Sequence, residues 1–163
     1  MSEKELINFG ILNGWLTAIG RVNDKTNNGH HFELYKFEKE DDINKVIKEI
    51  FSEKANTINI EEKLNPEKIL REKVNFWFFN YQPNKFSNPQ FLEDKRGDFS
   101  LYDEDYKKEW IIEFVKILTS TTEMKRLFEV KLSETKKHYC NMSDDLIIEG
   151  NSKIFHLHFC LTD

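Results

Sequence analysis

The chain has 163 residues, of which 39% are hydrophobic and 33% are charged, and its formal net charge is −5. This length fits one domain over residues 1–163, and fourteen Phe, five Tyr and three Trp supply aromatic material for one dense core. The acidic charge argues against a general affinity for nucleic acid and is compatible with a basic partner. No window approaches 18 uninterrupted apolar residues and the N-terminus has no apolar signal core, so we expect no membrane span and a cytoplasmic location.

The N-terminal segment contains Asn13-Gly14, a strong hairpin signal, between two apolar runs. We therefore predict strands at residues 6–12 and 15–21. The alternative is a helix, because apolar residues also recur at every fourth position, but three glycines in this span count against it. These apolar positions are Ile7, Ile11, Trp15 and Ile19. Alternation resumes at residues 31–37, which predicts a strand that is covered on both faces.

Two helices are predicted in the middle of the chain. The first begins at a cap provided by Asp41 or Asp42 and runs to about Lys54, with one apolar stripe. The second begins at Asn65-Pro66, which combines a cap with a first-turn proline, and continues through about Phe79. The aromatic density at residues 76–79 suits a strand equally well, and we favour the helix.

Residues 82–102 contain two prolines and no sustained periodicity, which predicts a long loop of the kind that is often functional. Asp103 is the predicted cap of a third helix, whose apolar stripe runs to Leu118. Ser120 and Glu123 fit a capping box for a short helical continuation through Phe128.

The remaining chain reads as strands at residues 129–133 and 137–142, followed by a hairpin. Apolar residues lead into Gly150-Asn151, and Phe155, Leu157, Phe159 and Leu161 then share one side of an extended strand. Strands at both ends and helices between them predict an α+β domain. In this domain one antiparallel sheet combines the N-terminal and C-terminal strands, and three to four helices pack on one face.

The last strand also places two histidines and a cysteine, His156, His158 and Cys160, on one face. Imidazole and thiolate are zinc ligands, so this face is a candidate metal site. The other three histidines share no defined spacing with this group, and no CxxC or HExxH motif accompanies it. We interpret the three side chains as half-buried strand residues and predict neither a metal nor another cofactor.

The two cysteines, Cys140 and Cys160, both fall in predicted strands and could lie near each other, but two thiols do not make a disulfide framework in a chain of this length. We predict that both are buried, reduced thiols that act as small hydrophobic residues.

No catalytic motif stands out, and we predict no catalytic residue. The sequence lacks a Gly-x-Ser-x-Gly elbow, and none of its six glycines forms a phosphate-binding loop. Paired carboxylates at residues 41–42, 103–105 and 144–145 are explained by two helix starts and a turn. Basic residues beside aromatic ones, at 68–73 and 136–139, form short runs, so we expect no nucleic-acid binding.

The acidic stretch, which we define as residues 93–105, is the strongest candidate for a functional surface. It holds six acids against Lys95 and Arg96, with aromatic residues between the acids, as expected of an interface with a basic partner. The alternative to an interface is an acidic helix start that follows a surface loop, with no role in binding. The predicted partner-binding residues are Glu93, Asp94, Asp98, Phe99, Tyr102, Asp103, Glu104 and Asp105.

An acidic, aromatic-rich chain without a catalytic motif suits a small intracellular binding protein that neutralises a basic protein partner. The most concrete hypothesis is an immunity protein that inhibits a bacterial toxin such as a nuclease, by occlusion and charge complementarity. One alternative is a metal-dependent enzyme that uses the His/Cys face of the last strand. Another is an assembly subunit that associates through a sheet edge.

Overall fold

The computed structural model describes residues 3–24, 29–40, 42–79, 104–136 and 139–162, with the backbone alone at position 104. Within these residues five strands form one antiparallel sheet and four helices pack against it. This confirms the predicted α+β class. That residues 1–163 make a single domain stays a prediction.

The predicted C-terminal hairpin forms the centre of the sheet, whose strand order is β1-β5-β4-β3-β2. The turn begins at Gly150, whose N–H donates to the Lys153 carbonyl over 2.9 Å. A Cβ at Gly150 would lie 2.1 Å from the carbonyl oxygen of Thr122, so only glycine fits this close approach. The helices are α1 (Glu3–Asn23), α2 (Ile43–Phe51), α3 (Pro66–Phe79) and α4 (Glu104–Thr122). The strands are β1 (Gly29–Glu38), β2 (Ala55–Glu62), β3 (Arg126–Thr135), β4 (Met142–Glu149) and β5 (Lys153–Thr162).

The two strands predicted at residues 6–12 and 15–21 are wrong, because this segment is the single helix α1. The tertiary contacts outweigh the hairpin signal at Asn13-Gly14. The Asn13 carboxamide accepts from the Leu34 N–H over 3.0 Å and donates to the Leu34 carbonyl over 3.2 Å. These bonds satisfy outward-facing backbone groups of β1, which is an edge strand, so Asn13 ties α1 to the sheet.

Helices cover both faces of the sheet, which corrects the prediction that they all pack on one face. On the three-helix face, α1, α3 and α4 bury alternate strand residues such as Leu146, Leu157 and Phe159. The α2 face carries the intervening positions, and there α2 packs against residues such as Ile147 and Ile154. Because side chains alternate along a strand, successive residues of the central strands contact helices on opposite faces of the sheet.

The predicted helix boundaries are mostly confirmed. The Asp42 carboxylate caps α2 by accepting from the backbone of Asn44 and Lys45, and α3 begins at Pro66 and ends at Phe79, as predicted. The prediction of a capping box at Ser120 and of a helix through Phe128 is wrong, since Ser120 lies within α4 and residues 126–128 begin β3. Strand β2 was not predicted.

Strand β3 contains the predicted residues 129–133. The strand predicted at 137–142 is wrong over the described residues 139–141, which precede β4 without strand structure, and positions 137–138 lie outside the described residues. Among the described helices, none is both long and apolar enough to cross a membrane.

Candidate functional site

A cluster of polar side chains lies buried on the α2 face, where the pattern of the two central strands places them side by side. Asp145 of β4 pairs with His158 of β5 in the sheet register, and His156 lies two residues further along β5 on the same face. Asp145 and His156 are each only 1% exposed. The Asp145 cluster, as we define it, consists of Tyr139, Ser143, Asp145, His156 and His158.

Asp145 is the common acceptor of this cluster. Its Oδ1 atom lies 2.7 Å from His156 Nε2 and 2.8 Å from His158 Nδ1, so each ring donates an N–H to the carboxylate. The Tyr139 hydroxyl lies 2.7 Å from both carboxylate oxygens, and the Ser143 hydroxyl donates over 3.2 Å. A buried carboxylate that accepts this many hydrogen bonds has its charge well satisfied.

These contacts set the charge states in the cluster. Burial tends to raise the pKa of Asp145, but the hydrogen bonds from His156 and His158 outweigh it and hold the pKa far below its ordinary value. Burial lowers the pKa of His156 despite the nearby carboxylate, so this ring is neutral. Burial and the charge of Asp145 raise the pKa of Tyr139, which keeps its hydroxyl protonated as a donor.

Aromatic rings enclose the cluster from the α2 side. Phe51 of α2 meets His156 edge to face at 5.0 Å between ring centroids, and Tyr35 of β1 stacks on the same ring at 5.6 Å. The Lys54 ammonium lies over the rings of Phe51 and Tyr139. The cluster is therefore packed against apolar and aromatic groups, which fixes the orientation of its imidazoles.

The cysteines correct the prediction of two reduced thiols, because Cys140 and Cys160 form a disulfide. Their Cα atoms are 5.8 Å apart, a normal separation for this bond. The bond ties the segment of residues 139–141 to β5, directly beside the Asp145 cluster. Cys140 Sγ lies 3.9 Å from His158 Nε2, the ring nitrogen that does not face Asp145.

Two overlapping groups of potential metal ligands therefore meet on this face. One consists of Cys140, His158 and Cys160, and the other of Asp145, His156 and His158. In each group the ligand atoms lie within 4.8 Å of one another. The sequence pattern placed three of these residues, His156, His158 and Cys160, on one face, and it allowed Cys140 to lie near Cys160. It did not reveal Asp145 as their neighbour.

The signal that could have revealed Asp145 is the hairpin register. With the turn placed at Gly150, counting back along β4 sets Asp145 opposite His158. Asp144-Asp145 instead suggested turn chemistry. Tyr139 carried no comparable signal, because its position depends on a segment outside regular structure.

The acidic stretch lies mostly outside the described residues. The predicted site residues Glu93, Asp94, Asp98, Phe99, Tyr102 and Asp103 all fall there. The structure places Glu104 at the start of α4 and leaves the side chain of Asp105, in the first turn, 90% exposed. Lys108 Nζ lies 3.3 Å from Asp105 Oδ1.

Comparisons with protein-family models, curated proteins and solved structures find no match.

A second polar network lies on the three-helix face, around Glu129 of β3. Lys73 of α3 is 2.8 Å from Glu129 Oε1, and Lys63 is 2.7 Å from Glu129 Oε2. Lys73 also pairs with Asp144, whose other oxygen accepts from Trp77 Nε1 over 2.7 Å. Beside this network, where β3 and β4 separate, is a cleft of about 650 Å³.

Glu129 should make stability depend on acid pH. Burial raises its pKa, but hydrogen bonds from Lys63 and Lys73 dominate and lower it to about 2. Since the folded pKa lies below that of the unfolded chain, the stabilisation is complete above about pH 4.5 and is lost as pH falls toward 2. Lys131 and Asp144 are the other charged groups close to this site.

We expect Glu129→Gln to lower the free energy of unfolding by about 2 kcal/mol at pH 7, because two lysines lose their shared partner. In urea unfolding measured from pH 7 to pH 2, the difference between wild type and variant should shrink toward zero. Glu67→Gln, which affects an exposed pair with Arg71 on α3, is the control and should change stability by less than about 0.5 kcal/mol. A stability difference between wild type and variant that does not change with pH would contradict the assignment of acid-dependent stability to Glu129.

Proposed function

We propose that this chain is a small acidic binding protein that neutralises a basic protein partner, and most specifically an immunity protein that inhibits a bacterial toxin such as a nuclease. The observation that carries the proposal is the acidic stretch. In the sequence its six acids flank Phe99, Leu101 and Tyr102, so apolar and aromatic anchors occur together with the charge that a basic partner would complement.

The start of α4 supports an accessible acidic surface. Asp105 is the last residue of the acidic stretch and its side chain is 90% exposed, so this end of the stretch reaches the protein surface. Acids in the first turn also stabilise a helix through its dipole. The same residues can therefore serve capping and partner recognition, and an experiment must separate the two roles.

The packing of the Asp145 cluster is also compatible with a binding role. Its carboxylate and imidazoles are directed at one another inside the sheet, where they fix the central strands. A blocking protein acts through shape and charge, and it needs a rigid scaffold rather than a reacting group. Its mechanism would be occlusion of a cationic cleft, with fast and salt-sensitive association.

The proposed location is the cytoplasm, where an inhibitor would meet a toxin before it acts. Disulfides persist mainly in oxidising compartments, and cytoplasmic thiols are kept reduced. Under this proposal the Cys140–Cys160 pair would be reduced in the cell, and its thiols would be free for another role.

The test is a triple charge reversal, Asp103→Lys, Glu104→Lys and Asp105→Lys. Tagged wild type and variant are used at low salt to capture proteins from the source cells, and the captured basic protein is then purified and its affinity for both measured. We expect wild type to bind it with an affinity that falls as salt rises, and the variant to bind at least about tenfold more weakly.

A matched control reverses three exposed acids on other helices: Glu49→Lys, Glu67→Lys and Glu72→Lys. This control changes the net charge equally, so it should retain binding if the acidic stretch is the interface. Unchanged binding by the first variant, together with a lower melting temperature, would show that its acids only stabilise a helix. Failure of wild type to capture a basic protein would count against the inhibitor function itself.

The second candidate function is a metal-dependent enzyme on the α2 face. The observation that favours it is the convergence of potential ligands around His158. Zinc-dependent turnover that is lost in His158→Ala, while the variant stays folded, would support this candidate over the inhibitor.

A further inference from the structure

We propose that Cys140, Cys160 and His158 form a zinc site when the disulfide is reduced. The ligand atoms are the two Sγ atoms and Nε2 of His158. The site shares no residue with the acidic stretch, and its role is to hold the segment of residues 139–141 on β5.

The three ligand atoms are already gathered. They lie within 4.8 Å of one another, and Cys140 Sγ is 3.9 Å from His158 Nε2. In a tetrahedral site with Zn–S bonds of about 2.3 Å and Zn–N bonds of about 2.0 Å, sulfur and nitrogen ligands lie about 3.5 Å apart. After reduction, Cys140 Sγ must approach His158 Nε2 slightly, and the two sulfur atoms, no longer bonded, must separate to the spacing of about 3.8 Å that a tetrahedral site requires.

Asp145 prepares His158 for this role. Its Oδ1 accepts from His158 Nδ1 over 2.8 Å, which puts the ring proton on Nδ1 and leaves the lone pair of Nε2 directed toward the sulfur atoms. A carboxylate that bonds to a ligating histidine in this way fixes its tautomer and the orientation of its ring. Tyr139 and His156 hold the carboxylate in place.

The second group of potential ligands is less suitable. The distances of 2.7 and 2.8 Å from Asp145 Oδ1 to His156 and His158 are those of hydrogen bonds with a proton between the two atoms. A cation in this position would displace both protons and break the bonds that satisfy the buried carboxylate. The cysteine group keeps all of these bonds intact.

The chemistry of the ligands selects the metal. Thiolates are soft ligands and imidazole suits zinc, so this set favours zinc over magnesium or calcium, which prefer oxygen ligands. Cys140 is half-buried and lines the cleft between β3 and β4, from which water can take the fourth coordination position.

The disulfide and the zinc site would hold the same two segments in two redox states. A dithiol reductant transfers two electrons and two protons to the Cys140–Cys160 bond and is itself oxidised to a disulfide. Zinc then replaces the two thiol protons, which are released to solvent. Residues 139–141 therefore stay attached to β5 in either state, which reconciles this cysteine pair with a reducing compartment.

The experiment is a titration of the full chain, freed of metal and reduced with a phosphine, first with Co²⁺ and then with Zn²⁺. We expect one equivalent of Co²⁺ to produce thiolate-to-cobalt absorption with the strong visible bands of tetrahedral coordination, and Zn²⁺ to remove them by displacement. Zinc should also raise the melting temperature of the reduced chain. The oxidised chain has the same sequence and should show neither effect.

The variants assign the ligands. His158→Asn keeps a donor for Asp145 at the position of Nδ1 but lacks Nε2, while Cys140→Ser and Cys160→Ser each remove a thiolate. Loss of an outer partner alone lowers metal affinity about 10–100-fold, so we expect loss of a ligand to lower it more than about 100-fold. Asn141→Ser, at an exposed position next to Cys140, is the control and should bind like wild type.

Absence of thiolate-to-cobalt absorption in the reduced wild type would overturn the proposal. So would wild-type affinity and spectrum in His158→Asn. Each variant is checked by circular dichroism, and the comparison of reduced with oxidised wild type tests the site even where a variant does not fold.

Discussion

Phe159→Ala is expected to lower the free energy of unfolding by about 3–5 kcal/mol, because it opens a cavity in the middle of the larger core. Phe159 is fully buried on the three-helix face. Its ring stacks on Trp77 at 5.7 Å between centroids and meets Phe32 edge to face at 5.2 Å. Removal of the ring would therefore loosen α3 from both β5 and β1, and urea unfolding at neutral pH measures the loss.

The control for this variant is Leu161→Ala, two residues further along the same side of β5. Leu161 is only half-buried near the strand end, so we expect a loss of about 1–2 kcal/mol. A loss below about 1 kcal/mol for Phe159→Ala would mean that β5 is not central to the core. Equal losses for the two variants would mean that burial does not set the cost.

The C-terminal hairpin was predictable because two independent signals agree there. Alternation from Phe155 to Leu161 requires one buried side, and Gly150-Asn151 provides the turn between the two runs. The apolar positions on the other side of the central strands, such as Ile147 and Ile154, gave no comparable indication that α2 would cover them. The sequence therefore revealed the hairpin but not both covering layers.

Local signals misled where tertiary contacts decide the structure. Asn13-Gly14 favours a turn, yet Leu12, Leu16 and Ile19 bury one side of a continuous helix in the core. Gly14 has open space around it, so the helix accepts the glycine at a cost of about 1 kcal/mol in propensity. Edge strand β2 escaped prediction because its residues are mostly polar and exposed.

The candidate site could be predicted only in part, because some of its residues lie in a regular strand and others lie in a segment without regular secondary structure. His156, His158 and Cys160 follow from strand alternation. Their partner Cys140 lies in a segment without regular structure, so no periodicity links it to β5. Which cysteines pair depends on the complete tertiary structure, and sequence patterns do not specify it.

Asp145→Ala is the second variant expected to have a large effect, with a loss of about 3–5 kcal/mol in the free energy of unfolding of the oxidised protein. The substitution removes the only carboxylate of the Asp145 cluster and leaves two buried imidazoles and two partly buried hydroxyl groups facing an apolar methyl group. The donors that lose their acceptor are Tyr139, Ser143, His156 and His158. The oxidised protein is used because its disulfide prevents the two cysteines from binding zinc, so zinc does not affect the measured stability.

Two controls separate the buried network from the general loss of a strand acid. Glu61→Ala removes an exposed carboxylate of β2 that pairs with Lys63, and we expect a change below about 0.5 kcal/mol. Ser143→Ala removes the longest bond to Asp145 and leaves the two imidazole bonds in place, so it should cost about 1 kcal/mol. If Asp145→Ala unfolds at the same urea concentration as wild type, the cluster does not stabilise the centre of the sheet. A large loss would instead make the cluster a fixed framework that positions His158 beside the two cysteines.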